Sequence, residues 1–187
     1  MSRRHLWAVT LAVALQAAAE GPAKVALCES CHGPGGNSVT AGIPSIAGQP
    51  ATFLENQLVY FREELRHAPV MQGIAKGMQD ADIGALAKHF AAQAVVIAAT
   101  PADAARMDGG RAIAAKLHCG QCHMARFQGQ GQMARLAGQR EDYLREALTG
   151  YRDGRRSAAD TTMTDVLGGT SDDDLRTLAH FMAHSAE

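Results

Sequence analysis

Along most of the chain, apolar and polar positions alternate with a helical period. Phe53, Leu54, Leu58, Phe61 and Leu65 recur at three- and four-residue spacing, which predicts an amphipathic helix. Thr52, with Glu55 three residues later, predicts its N-terminal cap. Ile83, Leu86, Ala87 and Phe90 share one face of a second helix predicted over residues 80–93. The same two elements are predicted again near 140–152 and 171–184. A further helix precedes each of two cysteine motifs, over 23–31 and 102–122. Glycine- and proline-rich stretches at 33–50 and 126–138 predict loops. No alternating run is long enough to argue a strand, so the expected fold class is all-α.

These elements repeat because the sequence does. Cys28-Glu29-Ser30-Cys31-His32 returns as Cys119-Gly120-Gln121-Cys122-His123, about 90 residues later. At nearly the same offset, Ile46-Ala47-Gly48-Gln49 returns as Leu136-Ala137-Gly138-Gln139, and Phe53-Leu54 as Tyr143-Leu144. Met71, Asp80, Ile83 and Leu86 return as Met163, Asp172, Leu175 and Leu178. The chain is therefore expected to be a duplication, with one domain over 20–97 and a second over 98–187. The uncharged stretch 94–101 joins them.

Composition sharpens the problem these domains must solve. Apolar residues make up 47% of the chain, but much of that is alanine, and aromatics are only 5%. Two domains of this size would have thin cores, since alanine buries little area. The net charge of −1 provides no basic field for nucleic acid. Residues 1–19 have the layout of a cleaved signal peptide: Arg3 and Arg4, an apolar run over 6–15, then Ala17-Ala18-Ala19. The run is shorter than the ~20 residues of a membrane span. Export is expected, with at most peripheral membrane association.

The two cysteine motifs carry the chemistry. C-x-x-C-H is the attachment pattern of a c-type haem. Its two thiols add across the two vinyl groups of one porphyrin, and the adjacent histidine is carried under the ring to the iron. Cys28 and Cys31 would hold one haem with His32 on its iron. Cys119 and Cys122 would hold the other, with His123. A four-cysteine zinc site would require a much closer spacing, ~15–20 residues, and would leave both histidines unexplained. A dithiol redox motif sits at a strand–helix junction, and no strand is visible.

Methionine is a common second ligand in electron-transfer haem proteins. Of the methionines beyond residue 19, only Met71 and Met163 stand at equivalent points of the repeat. They are the candidate partners of His32 and His123. Met78 faces Thr170 across the repeat and reads as core. His67 is a competing ligand in the first half without a counterpart in the second. His118, His180 and His184 read as solvated or capping residues. Arg152, Arg155 and Arg156, with the acidic run Asp172–Asp174, read either as a solvated face or as a docking patch.

Taken in order, the motifs resemble a named family. C-x-x-C-H, then Pro-x-Ile-Ala-Gly-Gln, an aromatic-Leu helix, a methionine and Asp-x-Asp-Ile-x-x-Leu-Ala resemble a class I cytochrome c. Two such units in tandem resemble the dihaem cytochrome c4 family. The resemblance implies two tandem class I cytochrome c domains, two covalently bound haem c groups, and an electron carrier of the periplasm. It implies redox partners such as a quinol-oxidising complex and a terminal oxidase in a respiratory chain. It also gives Pro44 a role, its carbonyl accepting the proximal imidazole N–H. In the second half Ala134 stands in that place, so the two haems are expected to be electronically unequal. Rival readings are the electron-accepting subunit of an enzyme complex, such as a sulfide-oxidising flavocytochrome with its flavoprotein, and a haem enzyme with an open axial position.

If porphyrins complete the thin cores, polypeptide lacking both thioether pairs should be largely unfolded. Circular dichroism on a variant with all four cysteines replaced by alanine checks this, and a cooperative thermal transition without haem would contradict it.

Overall fold

The computed structural model describes residues 24–97, 100–156 and 161–185. The signal-peptide stretch 1–19 lies outside the described residues. Nine α-helices are present among the described residues, and no strand beyond one isolated bridge, Gln130 to Met133. The first half contains α1 (Val25–His32), α2 (Ala51–Arg62), α3 (Pro69–Ala75) and α4 (Asp80–Ala91). The second contains α5 (Ala104–Lys116), α6 (Cys119–His123), α7 (Glu141–Arg152), α8 (Thr162–Leu167) and α9 (Asp172–His184).

The amphipathic faces fall where the periodicity places them. Leu54, Met78, Ile83, Leu86, Ala87 and Phe90 form the buried core of the first half, where α2 packs on α4 and α3. Leu144, Leu148, Leu167, Leu175, Leu178, Phe181 and Met182 form that of the second, where α9 packs on both α5 and α7. Ser171 caps α9, its hydroxyl accepting the Asp174 N–H at 3.1 Å. Asp103 caps α5, its carboxylate accepting from Arg106 N–H at 2.8 Å.

Several local expectations change. Thr52 is not a cap: Pro50 occupies the N-cap of α2, already extended at φ −54° and ψ 134°, and no side chain closes that end. The run expected over 102–122 breaks at His118, whose left-handed φ of 56° separates α5 from α6. The short helices α3 and α8 have too few residues to show a period. His180 is not solvated, and it serves as a cap only for another helix, at the start of α5. It is 4% exposed, and its Nε2 accepts the Asp103 N–H at 3.0 Å, so Nδ1 carries the proton and donates it to Glu141 at 2.9 Å. This contact ties the start of α5 and the start of α7 to the end of α9.

The two glycine-rich loops close in the same way. The Gly36 carbonyl accepts from Ile46 N–H and Ala47 N–H at 2.8 and 3.1 Å. The Phe127 carbonyl accepts from Leu136 and Ala137 at the same two distances. Gly48 N–H then donates to the Phe90 carbonyl at the end of α4, and Gly138 N–H to the Met182 carbonyl at the end of α9. At Gly48 and Gly138 φ is +62° and +65°, and a Cβ would strike Val95 or Ile97 of the joining segment. Both loops are thus pinned to their own unit at one end and pressed against the joining segment.

The α5–α9 crossing depends on Gly110, where a Cβ would lie 2.2 Å from Phe181 Cβ and 2.8 Å from the Thr177 carbonyl. Gly110→Ala is expected to destabilise the protein by about 1–3 kcal/mol through overpacking. Gly73, within α3, has open space around it, and Gly73→Ala is expected to stabilise by about 0.5–1 kcal/mol. Denaturant unfolding of the two holoprotein variants checks both signs.

Candidate haem sites

Each cysteine motif sits on one turn of helix, Cys28–His32 ending α1 and Cys119–His123 forming α6. The three-residue step puts both thiols of a pair on one face. None of the four cysteines is in a disulfide. Cys28 packs against the first core and Cys119 against the second, whereas Cys31 and Cys122 are exposed. Before haem attachment, burial raises the pKa of the Cys28 and Cys119 thiols.

The two histidines are held alike. His32 is 8% exposed and His123 9%. His32 Nδ1 lies 2.8 Å from the Pro44 carbonyl, and His123 Nδ1 lies 2.8 Å from the Ala134 carbonyl. A carbonyl can only accept, so each Nδ1 bears a proton, and in the neutral ring each Nε2 keeps its lone pair. Burial pulls both imidazole pKa values down, only partly offset by the carbonyl bond. A neutral imidazole with a free, fixed Nε2 is the form that binds a metal. Replacing proline by alanine has therefore not removed the carbonyl, although it leaves the backbone there less restricted.

Met71 lies half-buried on α3 and Met163 half-buried on α8, where it packs against the second core together with Cys119 and Leu136. Met78 is core at 3% exposed. His67 and His118 are exposed.

A cationic cluster joins the halves. Arg66 of the first and Arg156 of the second both donate to the Tyr143 hydroxyl, at 3.2 and 2.9 Å. Burial raises the Tyr143 pKa, but the two guanidinium charges outweigh it and bring the phenol down to about 8. Arg156 Nε is buried with no hydrogen-bond partner among the described residues. Neither arginine pairs with a carboxylate among the described residues. Paired cysteines with a buried imidazole beside them, fixed through Nδ1, fit covalent haem.

By contrast, Arg152 and Arg155 of the basic cluster are ion-paired at the surface. Arg152 pairs with Asp153 and Asp172 at 2.7 and 2.5 Å, and Arg155 with Asp153 at 3.2 Å. Arg156 turns inward. Asp172, Asp173 and Asp174 fill the first turn of α9, where the helix dipole favours them.

The family model for cytochrome c matches residues 107–186. Cytochrome c4 of Azotobacter vinelandii is 32% identical over 163 residues, covering 79% of this chain and 78% of that protein. The chain belongs to the cytochrome c4 family. The crystal structure of reduced recombinant cytochrome c4 from Pseudomonas stutzeri superposes with a TM-score of 0.80 at 28% identity, over 87% of this chain and 95% of that one. A thiosulfate dehydrogenase electron acceptor of Thiomonas intermedia is 34% identical, covering 83% of this chain and 78% of that protein.

As a cytochrome c4 family member, the chain is an all-α electron-transfer protein of two tandem class I cytochrome c domains, with two covalently bound haem c groups. The family's repeated Ala-Gly-Gln signature was visible in the sequence. The meeting of Arg66, Tyr143 and Arg156 was not, because a contact across the two halves leaves no local pattern.

Proposed function

We propose that residues 20–97 and 98–187 each hold one haem. Cys28 and Cys31 attach the first, with His32 and Met71 on its iron. Cys119 and Cys122 attach the second, with His123 and Met163. The observation that carries this reading is the paired histidine geometry, in which both imidazoles are neutral, fixed through Nδ1 and open at Nε2. Haem supplies the one-electron couple. The chain's own residues set its surroundings. Pro44 and Ala134 aim the imidazoles and make them stronger donors. Arg66 and Arg156 would offer positive charge to any propionate within their reach, and the buried apolar residues limit water.

The protein would act as a free electron carrier in the periplasm, exported by residues 1–19. It would shuttle electrons in a respiratory chain from a quinol-oxidising complex to a terminal oxidase. No helix among the described residues is long and apolar enough to cross a membrane. A second reading is favoured by the relative named as a thiosulfate dehydrogenase electron acceptor. Here the chain would take electrons from an oxidoreductase of sulfur compounds, such as a flavoprotein or a dehydrogenase.

Met71→Ala and Met163→Ala test the ligand set. Each is expected to lose the methionine-to-ferric charge-transfer band of one haem and keep that of the other. An unchanged spectrum in either variant would contradict the assignment. A five-coordinate ferric spectrum in the unaltered protein would favour a haem enzyme instead.

A further inference from the structure

The two halves grip one another through a reciprocal pair of glutamines. Gln139 of the second half takes both main-chain groups of Ser45 in the first. Ser45 N–H donates to Gln139 Oε1 at 2.8 Å, and Gln139 Nε2 donates to the Ser45 carbonyl at 2.7 Å. Gln49 of the first half does the same to Arg135 in the second. Arg135 N–H donates to Gln49 Oε1 and Gln49 Nε2 to the Arg135 carbonyl, both at 2.9 Å. All four residues are buried. The Arg140 N–H also donates to Gln139 Oε1 at 2.9 Å, which fixes that amide's direction.

The gripped residues directly follow those that orient the histidines. The Ser45 N–H and the Pro44 carbonyl belong to one peptide group, as do the Arg135 N–H and the Ala134 carbonyl. Each peptide group therefore sits in a continuous chain of hydrogen bonds. The Gln139 carbonyl accepts from the Ser45 N–H, and on the same peptide the Pro44 carbonyl accepts from His32 Nδ1. The Gln49 carbonyl likewise leads through the Arg135–Ala134 peptide to His123. A peptide whose N–H is engaged in a low-dielectric setting is polarised, and its carbonyl becomes a stronger acceptor. A stronger acceptor at Nδ1 makes the imidazole a stronger donor through Nε2.

We infer that Gln139 and Gln49 are positioning residues acting crosswise, each tuning the proximal histidine of the opposite half. The inference rests on the haem assignment proposed above. A glutamine in the second half sets the electron-donating strength of His32, and one in the first half sets that of His123. The same contacts close the seam between the units, so docking of the halves and ligand strength are coupled.

Gln139→Ala and Gln49→Ala holoproteins test this, with the midpoint potential of each haem resolved through its own haem-methyl NMR resonances. A weaker histidine donor stabilises ferric iron less, so the potential rises. Gln139→Ala is expected to raise the potential of the haem on Cys28 and Cys31 more than that of the other haem. Gln49→Ala is expected to raise chiefly the haem on Cys119 and Cys122. A shift confined to the haem of the mutated half, equal shifts at both, or no shift would overturn the inference. In the unaltered holoprotein the Ser45 and Arg135 amide protons are expected to be strongly protected from exchange. Exchange as fast as in an exposed loop would overturn it even if neither variant folds. Failure of the haem assignment itself is distinguishable, since the unaltered protein would then lack two histidine–methionine spectra.

Discussion

The hydrogen bond from a buried imidazole to a loop carbonyl is the constraint around which the rest of this structure is arranged. Without a partner on Nδ1, His32 and His123 could turn, or exchange the tautomer that leaves Nε2 free. The 2.8 Å bonds to Pro44 and Ala134 remove that freedom. Holding those carbonyls in place requires long loops of defined shape. The loops in turn require the inward turn at Gly36 and Phe127, the glycines at 48 and 138, and the carbonyls at the ends of α4 and α9. The helices thus serve as walls for two loops, and the loops as brackets for two imidazoles.

Duplication supplied this bracket twice, but the copies have diverged. Pro44 restrains the first carbonyl by its ring, while Ala134 relies on its neighbours. Gly33 follows His32 in a left-handed conformation at φ 78°, and Met124 follows His123 at φ 69°, where a side chain is less at ease. The second half has the α5–α9 crossing at Gly110 and the Arg106–Glu141–His180 network at its helix ends. Identical chemistry in unequal frames is a route to two haems of different potential within one small chain.

Much of this was legible in the sequence, for physical reasons. Helical periodicity reports which face is buried, so α2, α4, α7 and α9 appear with their core residues. The spacing of two cysteines and a histidine is dictated by a porphyrin and needs no tertiary context. The repeat singles out Met71 and Met163 as the candidate second ligands. Features with no local pattern stayed hidden. His118 breaks a helix that its neighbours would continue. His180 is buried because Asp103 and Glu141 meet it from other helices. The Ala-Gly-Gln signature was plain, yet it reads as a feature of each unit, and its glutamine in fact reaches across to the other. Arg156 looked like part of a surface charge cluster until its contacts with Tyr143 were seen.

The central claim is that one polypeptide holds two unequal haems, each between a histidine and a methionine. An optical redox titration of the purified holoprotein tests it most directly. Two one-electron steps at distinct potentials are expected, with a methionine-to-ferric band accompanying each oxidised haem. A single step with identical potentials at both haems, or a five-coordinate ferric spectrum, would contradict the account.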